Sequence, residues 1–297
     1  MKDIIVYPGN GVNSNSIVNK TDKWVIDPSG ALPKMDFNGY TFLLTHVHPD
    51  HVNVCNVKGP LNVTGIGKDY ILNPVKHADL MFRDKIGMYP GIFGSDLFRN
   101  GYKLVAGVEH LVHKSAYDSL DVKVLKDGDV TCGLTAIIVG GHTPDSSVFS
   151  FEDSYDTTGV GGDIVYRDRK SGSYKSRDAS YKGVILGSNK LQKVGFDKMI
   201  LGHGPEISGT YNISYMLESV INYEVNMGKA MLKMGLNGTD FRAIKKELGF
   251  EGRSDGGYGR VYAFAVFALE NGLMEIKNKK LFTIDSSSDA VINALGI

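Results

Sequence analysis

A cluster of metal-binding side chains at residues 45–51 constrains this chain more than any other feature. The segment reads Thr-His-Val-His-Pro-Asp-His and follows residues 40–44, an apolar run that predicts a buried strand. Side chains two apart in a strand point the same way, so His46 and His48 can share one metal ion. Pro49 favours extended backbone before it and a turn after it, which sends the following aspartate and histidine towards a second position. This density of ligand-type residues indicates a metal site rather than a polar loop.

Three further strand-like runs each end in a residue that can bind metal. The apolar run 136–139 leads to His142, a glycine-rich stretch leads to Asp163, and the run 198–201 leads to His203. Glycine permits the close backbone approach that such a site needs. Together with the first cluster, these junctions supply five histidines and two aspartates. That set is sufficient for a two-metal site with one bridging carboxylate.

These residues give the chain a resemblance to the metallo-β-lactamase superfamily over about residues 4–210. The superfamily pattern HxHxDH…H…D…H is met by His46, His48, Asp50, His51, His142, Asp163 and His203. The resemblance implies that one metal ion is bound by His46, His48 and His142. It implies that the second is bound by Asp50, His51 and His203, with Asp163 bridging the two ions. Asp145 departs from the pattern, since many relatives have glycine there; it would touch substrate or cap a turn, and we expect the cap.

The resemblance also implies the architecture. We expect an α/β protein with an αββα sandwich, two mixed sheets flanked by helices, and all seven ligands at one edge. Residues 1–210 would form this catalytic domain. Residues 211–297 predict helices followed by a small hairpin, a C-terminal region that resembles a winged helix. Its third helix, residues 260–270, is too apolar to present base-reading side chains, so we predict a packing role or a homodimer contact and no nucleic-acid partner.

Residues 76–117 interleave methionine and aromatic residues with glycine and proline, which is too broken a pattern for one long helix. Two interpretations stay open: an insertion that covers the metal site with apolar side chains, or an ordinary helix-and-loop layer. Three histidines in this part of the chain are not assigned to a metal. His110 and His113 lie three apart without a completing carboxylate or cysteine cluster, so we expect surface or packing roles, and nothing singles out His77.

The chemistry follows from the metal ligands. Two divalent ions can lower the pKa of a bridging water until hydroxide forms near neutral pH. That hydroxide would attack an ester, lactone or thioester carbonyl, with Asp50 accepting a proton and Asp163 holding both ions. Tyr166 is the candidate donor to the developing oxyanion. We expect zinc as the metal, with manganese and iron as the alternatives.

Three other functions stay open. A phosphodiesterase or ribonuclease of the same fold would use the basic residues at 167–177 to bind phosphate. A mononuclear-iron persulfide dioxygenase uses much the same ligands, and a winged-helix regulator would use the metal domain only as a sensor. The chain has 33 basic and 33 acidic residues, so its net charge gives no sign of a polyanionic partner.

Composition and hydropathy indicate the cellular compartment of the protein. Cys55 and Cys132 are the only cysteines, and neither lies in a ligand cluster, which fits a reducing environment. The N-terminus has too short an apolar core for a signal peptide. The apolar run 261–269 is nine residues long, well short of a membrane span. We therefore predict a cytoplasmic protein that acts on a small-molecule substrate without a membrane.

Overall fold

The computed structural model describes residues 3–10, 13–88, 96–153, 156–164, 178–249 and 256–297. Tyr166 and the basic residues at 167–177 lie outside the described residues. Their predicted roles in oxyanion and phosphate binding therefore stay predictions.

Two six-stranded sheets form the centre of the described structure. The first contains β1 (Ile4–Tyr7), β2 (Ser16–Asn19), β3 (Trp24–Ile26), β4 (Thr41–Leu43), β5 (Leu61–Thr64) and β6 (Val122–Leu125), in that spatial order. The second contains β7 (Val130–Thr131), β8 (Leu134–Ile138), β9 (Ser147–Asp153), β10 (Asp156–Val160), β11 (Lys198–Ile200) and β12 (Ile207–Ser208), also in spatial order. Both sheets are mixed, because β3 to β6 pair in parallel in the first and β10 pairs in parallel with β11 in the second.

Helices follow and flank these strands. They are α1 (Gly65–Leu72), α2 (Pro74–Phe82), α3 (Asp96–Val112), α4 (Lys114–Asp118), α5 (Tyr181–Val194), α6 (Thr210–Gly235), α7 (Phe241–Glu247), α8 (Gly256–Glu270) and α9 (Ala290–Leu295). A small hairpin of β13 (Met274–Lys277) and β14 (Lys280–Thr283) follows α8. No helix in the described ranges is long and apolar enough to cross a membrane.

The sheets pack face to face because successive side chains along each strand point to opposite faces of the sheet. In β3, Trp24 and Ile26 join a buried cluster with Phe149 and Val160 from the second sheet. Val25, which lies between them in sequence, joins a different buried cluster on the outer face of the first sheet. A side-chain period of two gives each strand one face towards the partner sheet and one towards a helical layer. The predicted αββα sandwich is confirmed.

Helix α5 was not predicted from the sequence, because lysines and small polar residues interrupt its apolar pattern. Its ends carry the usual signals. The Ser180 side chain accepts a hydrogen bond from the Gly183 N–H at 3.0 Å, and Gly195 ends the helix at φ +76°. The helix buries Val184 and Leu191, so it covers the outer face of the second sheet.

The C-terminal helices and hairpin occur in the predicted order. Helix α8 packs into one buried cluster with α5, α6 and α7, which includes Tyr181, Met231, Phe241 and Phe264. A buried ion pair joins Arg260 of α8 to Glu224 of α6, Nε to Oε1 at 2.9 Å. The burial of α8 agrees with the apolar packing surface that its sequence predicts.

Candidate metal centre

The loop after β4 carries four ligand-type residues. It turns immediately after His48, because the N–H groups of His51 and Val52 both donate to the His48 carbonyl oxygen, at 2.9 and 3.3 Å. The turn separates the His46 and His48 pair from Asp50 and His51, as the spacing predicts.

Three buried imidazoles form the first group. The Nε2 atoms of His46 and His142 each lie 3.1 Å from Nδ1 of His48. One Nδ1 presents either a single lone pair or a single proton, so it cannot form linear hydrogen bonds to both neighbours. Nitrogens around a tetrahedral Zn²⁺ lie about 3.3 Å apart when the bonds have their usual length of ~2.0–2.1 Å. The three nitrogens therefore fit a shared cation.

Two carboxylates and two imidazoles form the second group. Nε2 of His203 lies 3.0 Å from Oδ2 of Asp50, and Nε2 of His51 lies 3.3 Å from Oδ1 of Asp163. The other oxygen of Asp163, Oδ2, lies 3.6 Å from Nε2 of His142 in the first group. Within each group, all ligand atoms lie within 4.8 Å of one another. The two oxygens of Asp163 thus face different groups, which is the arrangement that a bridging ligand requires.

Asp27, which directly follows β3, orients the second group through contacts with His51 and Thr45. Its Oδ2 lies 2.9 Å from Nδ1 of His51 and accepts a hydrogen bond from the Thr45 hydroxyl at 2.8 Å. Its Oδ1 accepts the Thr45 N–H at 2.8 Å. A carboxylate on the outer nitrogen of a histidine fixes the ring and leaves the other nitrogen for a metal. The motif pattern in the sequence does not include Asp27, because its contact with His51 depends on the fold.

Two glycines are required by the crowding around Asp163. A Cβ on Gly202 would lie 2.6 Å from Oδ1 of Asp163 and 2.7 Å from Cε1 of His51. A Cβ on Gly162 would lie 2.4 Å from Oγ1 of Thr45, and this glycine has a φ of +51°. Any side chain at these positions would displace a candidate ligand or its support.

Asp145 links the two loops that carry the first group. It is buried, and its Oδ2 accepts a hydrogen bond from the Val47 N–H at 2.8 Å. Val47 lies between His46 and His48, so this bond ties their loop to the loop of His142. Burial raises the pKa of the Asp145 carboxyl to about 6. The structure thus gives Asp145 a role in linking the two loops, and the turn cap stays a prediction.

The two groups differ in charge. Burial and neighbouring imidazoles hold the pKa of His46 and of His48 well below the usual range, so both rings are neutral and able to bind a cation. Burial raises the pKa of Asp50, but the hydrogen bond from His203 and the charges of His51 and His48 together outweigh it and lower the value to about 2. Burial lowers the pKa of His51, yet the carboxylates of Asp163 and Asp27 raise it well above normal. A cation bound at the second group would therefore displace a proton from His51.

A cavity of about 260 Å³ lies beside the first group, where the loop after β4 meets α2 and α3. Its wall includes His48 and His77. The buried His77 ring on α2 stacks on Tyr70 at 4.2 Å and lies 6.2 Å from the His48 ring, with the two imidazole planes 15° apart. Helices α2 and α3 therefore form part of an apolar wall next to His48, and both interpretations of residues 76–117 stay open. His77, which had no sequence signal, belongs to this wall.

The other two histidines lie away from the two groups. His110 packs its ring against Tyr117, with centroids 4.6 Å apart, and Nδ1 of His113 lies 3.3 Å from Sγ of Cys55. Among the described residues, they belong to neither candidate metal group. This agrees with the predicted packing roles.

Solved structures share this architecture. The chain is similar to a metallo-beta-lactamase family protein from Thermus thermophilus, at 14% identity and a TM-score of 0.65, over 95% of this chain and 99% of that one. It is also similar to a beta-lactamase domain protein from Burkholderia ambifaria, at 12% identity and a TM-score of 0.57, over 94% and 87% of the two chains. No protein-family model and no curated protein matches the sequence. The chain has the metallo-β-lactamase fold, and residues 46–51 fit its HxHxDH motif.

Proposed function

We propose that this protein is a metal-dependent hydrolase of esters, lactones or thioesters. The observation that carries the proposal is the convergence of seven ligand-type side chains into two adjacent groups, with Asp163 between them. The first metal ion would be held by His46, His48 and His142, and the second by Asp50, His51 and His203. The nitrogen and oxygen donors suit zinc, manganese or iron, and zinc is our first choice for the imidazole-rich group.

Bound divalent ions at such a site lower the pKa of a coordinated water and polarise a substrate oxygen. The chain's own residues supply the rest. Asp27 fixes the ring of His51, and Asp145 fixes the loop of His46 and His48, so the ligands stay in place during turnover. Asp50 is 28% exposed on its side chain, so it can reach solvent and accept a proton from the attacking water. The role of Tyr166 as oxyanion donor remains part of the proposal.

We also propose that residues 1–210 form the catalytic domain and that residues 211–297 serve packing or a homodimer contact. The apolar face of α8 is occupied by α6 and α7 within the described part of the chain. Arg260, which precedes the apolar run, is engaged by Glu224. This supports the absence of a nucleic-acid partner. We keep the proposal of a cytoplasmic enzyme.

The test is metal analysis combined with a substrate panel. The protein, loaded with Zn²⁺ or Mn²⁺, would be assayed on p-nitrophenyl acetate, an acyl-homoserine lactone, S-lactoylglutathione and bis-p-nitrophenyl phosphate. We expect two metal ions per chain and turnover of a carbonyl substrate. Asp163→Ala should lose about one metal ion and at least about 100-fold in kcat/KM, because ligand loss exceeds the 10–100-fold cost of losing an outer partner. Asp156→Ala, at the exposed start of β10, the strand that leads to Asp163, is the matched control.

Two outcomes would overturn the proposal. Turnover of the phosphodiester alone would assign the site to phosphodiester hydrolysis, and one iron per chain with no hydrolysis would favour the dioxygenase. Retention of two tightly bound metals in Asp163→Ala would remove the bridging role from that residue.

A further inference from the structure

The side chains that line the cavity beside His48 indicate what kind of molecule it binds. Its wall is mainly aliphatic, with Ile71 from α1, Ala78 and Met81 from α2, and Val105 and Ala106 from α3. The space open to the centre of a water-sized sphere is about 260 Å³, well above the ~10–15 Å³ that one water needs on this measure. The cavity can therefore hold an aliphatic chain of several carbons.

The wall also contains two imidazoles and three tyrosines, Tyr70, Tyr102 and Tyr117. Nε2 of His48 and Nε2 of His77 are buried and have no hydrogen-bond partner among the described residues. A histidine that binds metal through one nitrogen usually donates its other N–H to an acceptor. A ligand oxygen, or a water carried with the ligand, would provide that acceptor at this end of the cavity.

The formal charge of the wall is negative. Among the described lining residues, Glu109 on α3 is the one carboxylate, and it is joined by no lysine or arginine. A carboxylate at the rim repels anionic end groups such as phosphates and free acids. The wall therefore favours a neutral aliphatic chain over a charged one.

We propose that this cavity binds a neutral aliphatic acyl chain, so that the enzyme prefers esters, lactones or thioesters with such a chain over acetyl substrates. This rests on the proposed hydrolase function and names its substrate class. The chain would lie between α2 and α3, and the scissile carbonyl would lie towards the metal centre on the other side of the His48 loop. Specificity would then reside in α2 and α3 and not in the metal ligands.

The first test is the chain-length profile of the metal-loaded enzyme on p-nitrophenyl esters from acetate to decanoate. Each methylene that enters the cavity should raise kcat/KM about fourfold, the factor expected from burying one CH₂ group, with a plateau once the cavity is filled. Ala106→Phe narrows the cavity from the α3 side and should reduce the octanoate-to-acetate ratio at least tenfold. Leu104→Phe, on the exposed face of the same helix, should leave that ratio unchanged.

The second test measures binding without turnover, by calorimetry on the same metal-loaded proteins with octanamide, acetamide and octanoate. We expect octanamide to bind more tightly than the other two, and Ala106→Phe to weaken it at least tenfold. If octanamide binds in this way while no ester, lactone or thioester is hydrolysed, the hydrolase proposal fails and the cavity assignment stands. If acetate esters are hydrolysed but the profile is flat and octanamide binds no better than acetamide, the cavity assignment fails and the hydrolase stands. Equal binding of octanoate and octanamide would overturn the preference for a neutral chain.

Discussion

Helices α3 and α8 are both rich in apolar residues, but the fold uses them in opposite ways. In α8, Val261 and Phe264 are fully buried, with neighbours on several sides. In α3, no residue is buried, and Leu104 and Leu111 are 69% and 70% exposed. An α-helix that is apolar all round needs packing on every side, whereas an amphipathic helix can rest on one face. The comparison indicates that α8 stabilises the fold, while the exposed face of α3, which does not line the cavity, can change at little cost in stability.

The largest expected effect tests the α8 side of this comparison. Phe264 contacts Tyr181 edge to face, with centroids 5.1 Å apart, and lies against α6, where a Cβ on Gly228 would approach its ring to 2.7 Å. Phe264→Ala should lower the free energy of unfolding by about 3–5 kcal/mol, because the close packing leaves a void that cannot collapse. The measurement is urea denaturation of the metal-loaded protein. A loss below about 1 kcal/mol would mean that α8 contributes no more to stability than a surface helix.

A second prediction concerns His77, which lies on α2 and stacks on Tyr70 of α1. Burial lowers the pKa of His77 to about 4, so the unfolded chain takes up a proton between pH 6.5 and 4 that the folded chain does not. The stability contributed by neutral His77 is therefore complete above pH 6.5 and is lost as the pH falls to about 4. The size is about 3 kcal/mol, at 1.36 kcal/mol per pKa unit.

The measurement compares denaturation of metal-free wild type and His77→Phe at pH 6.5 and pH 4.5, because metal loss would otherwise dominate. The phenylalanine ring keeps the stacking on Tyr70 but does not titrate, so the variant should lose less stability on acidification. Tyr70→Phe is the control for disturbed packing, since it keeps the aromatic ring and removes only the hydroxyl. Equal pH dependence in wild type and His77→Phe would show that His77 is protonated at no cost in the folded protein.

The sequence indicated which ligand-type residues come together better than it indicated what surrounds them. His46, His48, Asp50 and His51 lie within six residues, so a local pattern was enough to assign them. The contacts that orient them are long-range: Asp27 meets His51 across 24 residues and Asp145 meets Val47 across 98. Such contacts form only when the two sheets have packed, and no spacing rule in one sequence reports them.

The same reasoning explains what the sequence could not decide about residues 76–117. The glycines and aromatic residues are compatible with either an ordinary layer or a cover over the site. The position of His77 next to His48 depends on α1 and α2 packing against the loop after β4, which follows from tertiary structure. Helix α5 was not predicted for a different reason. Its lysines interrupt the apolar pattern in the sequence, whereas the structure shows an apolar face that includes the buried Ile185 and Leu191.

The smallest expected effect tests the α3 side of the comparison. Leu104 and Leu111 lie seven residues apart on the exposed face of α3, and neither lines the cavity. Replacing both with Gln should change the free energy of unfolding by less than about 0.5 kcal/mol per site, because exposed substitutions away from packed features have small effects. Denaturation in urea measures this, and the preference for octanoate over acetate should be the same as in wild type. If the double variant instead lost about as much stability as Phe264→Ala, α3 would be packed in solution against another surface, and the contrast between the two helices would not hold.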